Sequence, residues 1–372
     1  MGPIAFTGGG TGGHIYPGLA VASSVQKQGN CRILWIGANR GMDRAVVEQA
    51  GFEFIGIPAG KLRRQFSLRH GSEALKVGAG FFAARRILKK EQALLLFSKG
   101  GFVSVPPCLA AASLGVPLWT HESDLSPGLA TKINARFARK IFTAYEESAA
   151  FFPASYQDRI SLSGNPVRPA FRSADPQSGR AFLQVGPEER ILLVLGGSQG
   201  SQQINRLVRE TLGELTRWYT VVHQTGLPQG WDLPPRDRYR PYPFFREEMP
   251  QVLAAAELVI GRSGAGTLWE CAASGRPMVL IPLSGSGTRG DQVENARLFV
   301  QAGAAVALGK AFGIEAEAAS LSRMIAELAL DPERQQRMAE ASARIGERDG
   351  ARIIAQAILQ YLEATKRELC SR

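Results

Sequence analysis

The glycines between Gly8 and Gly13 are the residues of this chain whose spacing most directly indicates chemistry, namely the binding of an anion. They follow the short apolar run Ile4–Phe6 and precede a helical pattern through Leu19 and Val25. A strand, a glycine turn and a helix in this order open a Rossmann-like unit. Glycine lets the backbone approach a ligand closely, and the start of the helix offers unpaired N–H groups to a phosphate.

Two further stretches repeat this arrangement in the second half of the chain. The run Ile191–Leu195 leads into Gly196–Gly200, and Leu258–Gly261 leads into the small residues of Arg262–Gly266. Arg262 adds a guanidinium beside the third phosphate-binding turn. Because the first two turns lie about half a chain apart, they predict two Rossmann-like halves that face one another.

Polar side chains also follow the predicted strand Val116–Thr120. They form the run His121–Asp124. The carboxyl ends of parallel strands are where α/β proteins bind ligands, so this run is a candidate site. Capping of the next helix by Ser123, Asp124 or Ser126 is the alternative.

Acidic and amide side chains on two predicted C-terminal helices are suited to hydroxyl groups. Glu270 lies roughly two turns into the helix after Arg262, and its carboxylate could accept hydrogen bonds from both hydroxyls of a ribose. Asp291, Gln292 and Asn295 fall at spacings that can share one helical face, which suits a sugar. A solvated charge at Glu270 and ordinary N-capping by Asp291 are the alternatives.

The length of 372 residues allows two domains. We expect an N-terminal domain over 1–163, a C-terminal domain over 164–345, and a terminal segment over 346–372 whose amphipathic helix packs on the first domain. Ile141–Ala144 is the last strand that the sequence predicts in the first half, and everything after Asn295 is predicted to be helical.

Composition and charge limit the functional classes. The chain carries 44 Lys and Arg against 33 Asp and Glu, a net charge of +11, which favours an anionic partner. Its four cysteines are scattered, so neither a disulfide framework nor a zinc site is indicated and a reducing cytosol is expected. We find no signal peptide and no apolar window of about 18 residues, so any membrane contact is expected to be peripheral.

Basic and apolar residues alternate between Lys61 and Lys90. The stretch has nine Lys and Arg, opposed by Glu73 alone, interleaved with residues such as Leu62, Phe66 and Phe82. This combination suits an anionic membrane surface. For the helix near Ala74–Leu88 the alternative is an apolar face in the core and charges in water. For the loop Lys61–Arg69, contact with a membrane is the more strongly favoured interpretation.

Six motifs together resemble the MurG family. They are, in chain order, GGGTGGHIYPGLA, HESDLSPGLATK, GNPVRPAF, GGSQGS, RSGAGTLWE and GDQVENA. The resemblance covers almost the whole chain. It implies the GT-B fold, an α/β architecture of two Rossmann-like domains with parallel sheets facing across a cleft, and a terminal helix that returns to the N-terminal domain.

The resemblance also implies a reaction. Members transfer N-acetylglucosamine from UDP-GlcNAc to the 4-hydroxyl of the MurNAc unit of lipid I (undecaprenyl-pyrophosphoryl-MurNAc-pentapeptide) with inversion, forming lipid II for peptidoglycan synthesis, cell shape and cell division. No metal and no cofactor are implied. The expected location is the cytoplasmic face of the cell membrane, with an anionic membrane surface and cell-wall or division proteins as further partners.

Site residues follow from the resemblance by position. His14 is the candidate general base because imidazole titrates near neutrality, and Asp124, where many members have Asn, is a second candidate. Arg246 is expected to contact uracil through its backbone. The other substrate-binding positions are Thr11, Gly12, Gly13, Asp124, Arg168, Ser198, Arg262, Ser263, Ala265, Gly266, Thr267, Leu268, Trp269, Glu270, Asp291, Gln292 and Asn295.

Other functions remain to be weighed against this one. The nearest is another GT-B enzyme that uses a UDP-sugar, either a UDP-GlcNAc 2-epimerase or a diacylglycerol glycosyltransferase. A nucleic-acid-binding protein would explain the basic charge, but no binding motif supports it, so no nucleic-acid partner is expected. A non-catalytic membrane scaffold would leave the donor motifs without a purpose.

Overall fold

Two parallel β-sheets organise the chain. The computed structural model describes residues 2–39, 41, 43–60, 70–197, 200–226, 231, 233–285 and 288–370. Contacts divide the chain into unit 1, which comprises the residues up to Arg168 and those from Asp349 on, and unit 2, Pro169–Arg348. The prediction of two parallel-sheet α/β domains is confirmed. The sequence analysis set their boundaries after 163 and 345.

Strands and helices alternate along unit 1. They are β1 (Ile4–Thr7), α1 (Gly12–Gln28), β2 (Ile33–Ala38), α2 (Asp43–Gln49), β3 (Glu53–Ile57), α3 (His70–Lys90), β4 (Leu95–Ser98), α4 (Val105–Leu114), β5 (Leu118–Glu122), α5 (Leu129–Ala135), β6 (Lys140–Thr143) and β7 (Ile160–Leu162). The strands pair in parallel in the order β3-β2-β1-β4-β5-β6-β7.

Apolar runs fill the centre of this sheet. Every residue of β1, β2, β4 and β5 is buried, as expected for parallel strands covered by helices on both faces. The Phe6 ring stacks on Trp35 at 5.9 Å and lies 5.4 Å from Phe97. The prediction that Ile141–Ala144 would be the last strand here is wrong, because β7 follows it at the edge of the sheet.

Unit 2 repeats the pattern. Its elements are α6 (Pro176–Leu183), β8 (Ile191–Leu195), α7 (Gln202–Trp218), β9 (Thr220–Gln224), β10 (Tyr239–Tyr242), α8 (Met249–Ala255), β11 (Leu258–Gly261), α9 (Ala265–Ala273), β12 (Met278–Leu280), α10 (Asp291–Gln301), β13 (Ala305–Ala307), α11 (Ala318–Leu330) and α12 (Pro332–Gly346). The strands are parallel in the order β10-β9-β8-β11-β12-β13.

The core of unit 2 lies between this sheet and its helices. On α7, residues such as Ile204, Val208 and Leu215 recur at helical spacing and are buried against Leu192 and Ile260. The prediction that everything after Asn295 would be helical is wrong, since β13 is a strand at the edge of the sheet.

The last helix, α13 (Gly350–Cys370), belongs to unit 1. Ile354 and Ile358 are buried in the same cluster as Val21 of α1, and the Tyr361 ring lies 5.5 Å from Trp119. Among the described residues, no helix has both the length and the apolarity needed to cross a bilayer.

Candidate functional site

Each sheet has a point where the strand order reverses. In unit 1 it lies between β1 and β4, where Thr7 is opposite Ser98. In unit 2 it lies between β8 and β11, where Leu195 is opposite Gly261. Open α/β sheets bind ligands outside the carboxyl ends of the strands at such switch points. The three glycine turns identified in the sequence follow β1, β8 and β11, and a further pair of glycines, Gly100 and Gly101, follows β4.

His14 lies in the first turn of α1, against the glycine turn that follows β4. A Cβ atom built on Gly101 would lie 2.8 Å from His14 Cδ2, and one on Gly100 would lie 4.0 Å from His14 Nδ1. Gly100 and Gly101 have positive φ, +84° and +79° respectively. The structure thus brings the turn after β4 to the candidate base. Thr11 is the N-cap of α1, and in the described chain its side chain makes no capping hydrogen bond.

Asp43 is a residue of this site that the sequence analysis missed. Its carboxylate accepts a hydrogen bond from Gly10 N, at 3.1 Å to Oδ1 and 3.2 Å to Oδ2. Burial raises the pKa of this carboxyl, against the lowering effect of its backbone hydrogen bonds. The acidic residue at the start of α2 therefore holds the first glycine turn. The available signal was an acidic residue opening the helix that follows β2.

Asp124 sits in a turn built around the buried carboxylate of Glu122. Glu122 Oε1 accepts hydrogen bonds from Ser123 N (2.8 Å) and Asp124 N (3.1 Å), and Oε2 accepts one from Gly128 N (3.1 Å). Burial is the main cause that raises the pKa of Glu122, followed by the charge of Asp124. The second candidate base thus has a fixed backbone at the carboxyl end of β5.

Of the two residues expected to contact the nucleotide, Arg168 and Ser198, only Arg168 is among the described residues. Arg168, the last residue of the first segment of unit 1, places its guanidinium 5.0 Å from the centre of the Tyr16 ring on α1. Ser198 lies outside the described residues. Their roles towards a nucleotide stay predictions.

Arg262 ties together the loops at the switch point of unit 2. Its Nη1 donates to Gln203 Oε1 (2.9 Å) and Ile281 O (2.8 Å), and its Nη2 donates to Ser201 Oγ (2.8 Å). Burial lowers the pKa of this guanidinium. Ser201 also caps α7 by accepting a hydrogen bond from Ile204 N at 3.3 Å. Arg262 therefore orders the site, whatever else it binds.

The start of α9 has no side chain among the described residues that caps its first N–H groups. Its N-cap, Gly264, has no side chain to cap the helix, in contrast to Ser201 of α7. Of the predicted run Ala265–Glu270, the side chains of Ala265, Leu268 and Trp269 are buried. Gly266, Thr267 and Glu270 are partly exposed. Those three are the members that a ligand could reach.

The predicted sugar-binding residues of α10 are connected to the loop after β11. Ser263 Oγ donates to Gln292 O (2.7 Å), and Asn295 Nδ2 donates to Ser263 O (3.4 Å). Gln292 Oε1 accepts a hydrogen bond from Leu283 N at 2.9 Å. Asp291 forms an ion pair with Arg289. The structure thus brings this set beside the turn that opens α9.

Arg246 follows β10, and its side chain is exposed. Its N–H donates to Glu248 Oε2 at 3.1 Å, and the N–H of Phe245 donates to Gln224 Oε1 at 3.0 Å. The Phe245 ring lies 4.7 Å from Tyr242. The backbone at Arg246 is therefore held from both sides. In the part of the chain that the structure describes, no three His, Cys, Asp or Glu side chains group as metal ligands would.

Comparison with known proteins identifies the family. The model of the glycosyltransferase family 28 N-terminal domain matches residues 4–143, and that of the C-terminal domain matches residues 191–354. The UDP-N-acetylglucosamine–N-acetylmuramyl-(pentapeptide) pyrophosphoryl-undecaprenol N-acetylglucosamine transferase of Treponema denticola is 42% identical over 98% of this chain and 99% of the relative. This chain belongs to that family of transferases. The resemblance to the MurG family is therefore confirmed.

Solved structures agree with the MurG assignment at the level of fold. MurG of Acinetobacter baumannii has a TM-score of 0.69 at 22% identity, covering 96% of this chain and 99% of its own. The UDP-GlcNAc 2-epimerase of Neisseria meningitidis, solved with UDP-GlcNAc, has the same TM-score at 14% identity, covering 97% and 100%. The GT-B fold is thus shared by proteins with different reactions.

Proposed function

We propose that this protein transfers N-acetylglucosamine from UDP-GlcNAc to the 4-hydroxyl of the MurNAc unit of lipid I, giving lipid II and UDP. The observation that carries the proposal is the 42% identity over 98% of the chain to a relative that bears this transferase name. The epimerase shares only the fold, at 14% identity. The sequence identity therefore favours the transferase over the epimerase.

The reaction needs a base, a leaving-group site and an acceptor held in line. The acceptor hydroxyl attacks the anomeric carbon, the bond from that carbon to the diphosphate oxygen breaks, and the configuration inverts. The hydroxyl proton passes to a base, for which His14 and Asp124 are the candidates in unit 1. His14 is the first choice, because its ring lies at the switch point of unit 1, against the glycine turn that follows β4.

Unit 2 supplies the groups that suit the donor. Backbone N–H groups at the start of α9 would stabilise the charge that develops on the departing diphosphate, because no side chain of Gly264 occupies them. Glu270, two turns on, would accept the ribose hydroxyls. The backbone at Arg246 would meet uracil, and Gln292 and Asn295 would meet the sugar. None of these contacts requires a metal ion.

The test is transfer of labelled GlcNAc to a short-chain lipid I analogue in the presence of EDTA. Wild type, His14→Ala and Asp124→Asn are compared. We expect transfer by wild type and a fall in kcat of about 100-fold or more in the variant that lacks the base. Release of UDP or a 2-epimer without transfer to lipid I would reject the acceptor assignment.

We also propose that α3 lies on an anionic membrane surface. Leu75 and Phe82 are 76% and 71% exposed, and their spacing places them on one face of the helix together with Arg86. Ala84 and Leu88 on the other side are buried in the core. One face of this helix is therefore packed in the core, and the opposite face carries the exposed apolar and basic side chains that suit a membrane surface. The loop Lys61–Arg69 lies outside the described residues.

Vesicle sedimentation tests this second proposal. The double variant Leu75→Ser/Phe82→Ser should bind vesicles of phosphatidylglycerol and phosphatidylcholine more weakly than wild type, while turnover on the short-chain acceptor is unchanged. The matched control is Leu330→Ser on α11, because Leu330 is 69% exposed in unit 2. Equal loss of binding in the control, or no loss in the double variant, would refute the assignment of α3.

A further inference from the structure

Lys99 is a buried lysine at the switch point of unit 1 for which the reaction as described has no use. It directly follows β4, and its backbone N–H donates to Thr7 O at 2.8 Å. Only 2% of the residue is exposed. A Cβ atom on Gly8 would lie 3.0 Å from Lys99 Cβ, so a glycine in the first turn gives this side chain its space.

The ammonium of Lys99 begins a chain of buried hydrogen bonds. Lys99 Nζ donates to Ser123 Oγ at 2.7 Å, and Ser123 Oγ donates to Asn165 Oδ1 at 2.6 Å. Ser123 and Asn165 are themselves buried. These two hydrogen bonds thus connect the turn after β4, the turn after β5 and the segment after β7.

Of the turns that Lys99 connects, the one after β4 lies against the candidate base His14 and the one after β5 carries the candidate base Asp124. Gly100 and Gly101, next in sequence, meet the ring of His14. Ser123, its hydrogen-bond partner, immediately precedes Asp124. A shift of the Lys99 side chain would therefore move the surroundings of both groups.

The charge of Lys99 is costly where it lies. An ammonium removed from water loses free energy of hydration, whereas a methionine of similar length would not. Burial lowers the pKa of Lys99 to about 8, while the charges of Glu122 and Asp124 act in the opposite direction. The charge of Lys99 in turn contributes, after burial, to lowering the pKa of His121. The titratable groups around Lys99 are Glu122 and Asp124, whose charges act on it, and His121, on which its own charge acts; the ring of His14 on α1 lies against the adjacent Gly100 and Gly101.

We propose that Lys99 is a positioning residue for glycosyl transfer, whose positive charge fixes the Ser123–Asp124 turn against the glycine turn beside His14. The expected effect on the rate of transfer rests on the proposed function. The expected effect on the Ser123–Asp124 turn rests only on the chain of hydrogen bonds. Deprotonation of Lys99 above about pH 8 loosens the Asp124 turn and slows transfer. Donor binding, which uses unit 2, is not affected.

The kinetic test compares wild type with Lys99→Met. We expect kcat to fall at least about tenfold, with KM for UDP-GlcNAc within about twofold of wild type. The wild-type kcat should decline as the pH rises through about 8, and this alkaline limb should be absent from the methionine variant. Ser123→Ala retains the charge, so it should lower kcat but keep the limb. Lys27→Met, an exposed lysine at the end of α1, is the matched control for loss of one cation.

Amide hydrogen exchange at pH 7 separates this inference from the proposed function. The N–H groups of Asp124 and Gly128, which donate to Glu122, should exchange faster in Lys99→Met and in Ser123→Ala, while α9 and α10 are unchanged. If wild type shows no transfer, the proposed function fails, and faster exchange still supports the positioning role. Wild-type kcat with an unaltered alkaline limb in Lys99→Met, or unchanged protection of these amides in both variants, would overturn it.

Discussion

At the scale of single residues, Asp43 shows how a carboxylate can shape a glycine turn by accepting a hydrogen bond from its backbone. Its two oxygens share the N–H of Gly10, and Gly9 has no room for a Cβ atom because Asp43 Oδ2 would lie 2.1 Å away. The first turn is therefore held by an internal anion. A phosphate that approaches it has to use other N–H groups, such as those at the start of α1.

Removal of this carboxylate should destabilise unit 1. We expect Asp43→Ala to lose about 1–3 kcal/mol at pH 7, because the N–H of Gly10 then lacks its partner. The difference in stability between wild type and Asp43→Asn should instead depend on pH. The raised pKa means that the folded protein takes up this proton more readily than the unfolded chain, so the contribution of Asp43 to stability falls as the pH rises above 3.8.

Urea unfolding between pH 3 and pH 7 measures both effects. The stability of wild type relative to Asp43→Asn should decrease with rising pH. A difference that stays constant, or that grows with pH, would contradict the assigned direction of the pKa shift.

Glu270 belongs to the same scale. Because the proposed partner of Glu270 is the ribose, which is remote from the reacting carbon of the donor, Glu270→Ala should raise KM for UDP-GlcNAc by about tenfold or more and change kcat little. Initial rates over a range of donor concentrations measure this. The control is Glu210→Ala on the exposed side of α7, where Glu210 pairs with Arg206. An unchanged KM in Glu270→Ala would remove this residue from the ribose.

Residues of the site that the sequence did not reveal have partners far away along the chain. Asp43 bonds to a residue 33 positions away, and Lys99 to one 24 positions away. In a single sequence both look like ordinary surface charges, because burial and pairing arise only when β1 and β2 come together, for Asp43, and when β1, β4 and β5 come together, for Lys99. The glycine turns were predictable because their signal is local.

At the scale of elements, the turn after β4 is the one that His14 constrains most tightly. Gly101→Ala places a methyl group 2.8 Å from His14 Cδ2 and 2.6 Å from Gly9 O, at a φ of +79°. With a ψ of 159°, Gly101 lies in a backbone region that is essentially restricted to glycine, and strain of this kind alone costs about 1–3 kcal/mol. We expect a large loss of kcat, because the imidazole must move, with donor affinity unchanged.

Gly115→Ala is the matched control for this element. Gly115 ends α4 with a φ of +71°, and a Cβ atom there would meet nothing within 4 Å. Thermal unfolding should show only the cost of backbone strain in Gly115→Ala and a larger destabilisation in Gly101→Ala, because the added methyl group there also meets Gly9 O and the His14 ring. Transfer assays should show a loss only in Gly101→Ala. Equal activities in the two variants would mean that the contact with His14 does not matter for the reaction.

The elements that the sequence failed to predict are short strands at the edges of the sheets. Ile160–Leu162 and Ala305–Ala307 have three residues each and pair on one side only. No residue of the first is fully buried, and the second contains two alanines, so neither gives the long apolar run that marks a central strand. Central strands such as Ile191–Leu195 were predictable because they are buried on both faces.

At the scale of the whole molecule, the core of unit 1 is built from two segments that are separated in sequence by all of unit 2. The helix α13 comes last, after all of unit 2, yet Ile354, Ala355 and Ile358 are buried with Val21 and Val25 of α1. Gly29 at the end of α1 has Leu359 against it, at 2.7 Å from where a Cβ atom would lie. Unit 1 therefore completes its core with the final residues of the chain.

Stability should follow these cores rather than the sequence order. Ile358→Ala removes a fully buried side chain from unit 1, and we expect a loss of about 2–5 kcal/mol. Hydrogen exchange should accelerate in α1 and β1–β5, whereas β8–β12 and UDP-GlcNAc affinity stay as in wild type. Ile325→Ala, an equally buried position in α11, is the mirror experiment and should accelerate exchange in unit 2 alone. Faster exchange throughout both units in either variant would show that the two cores unfold as one cooperative structure.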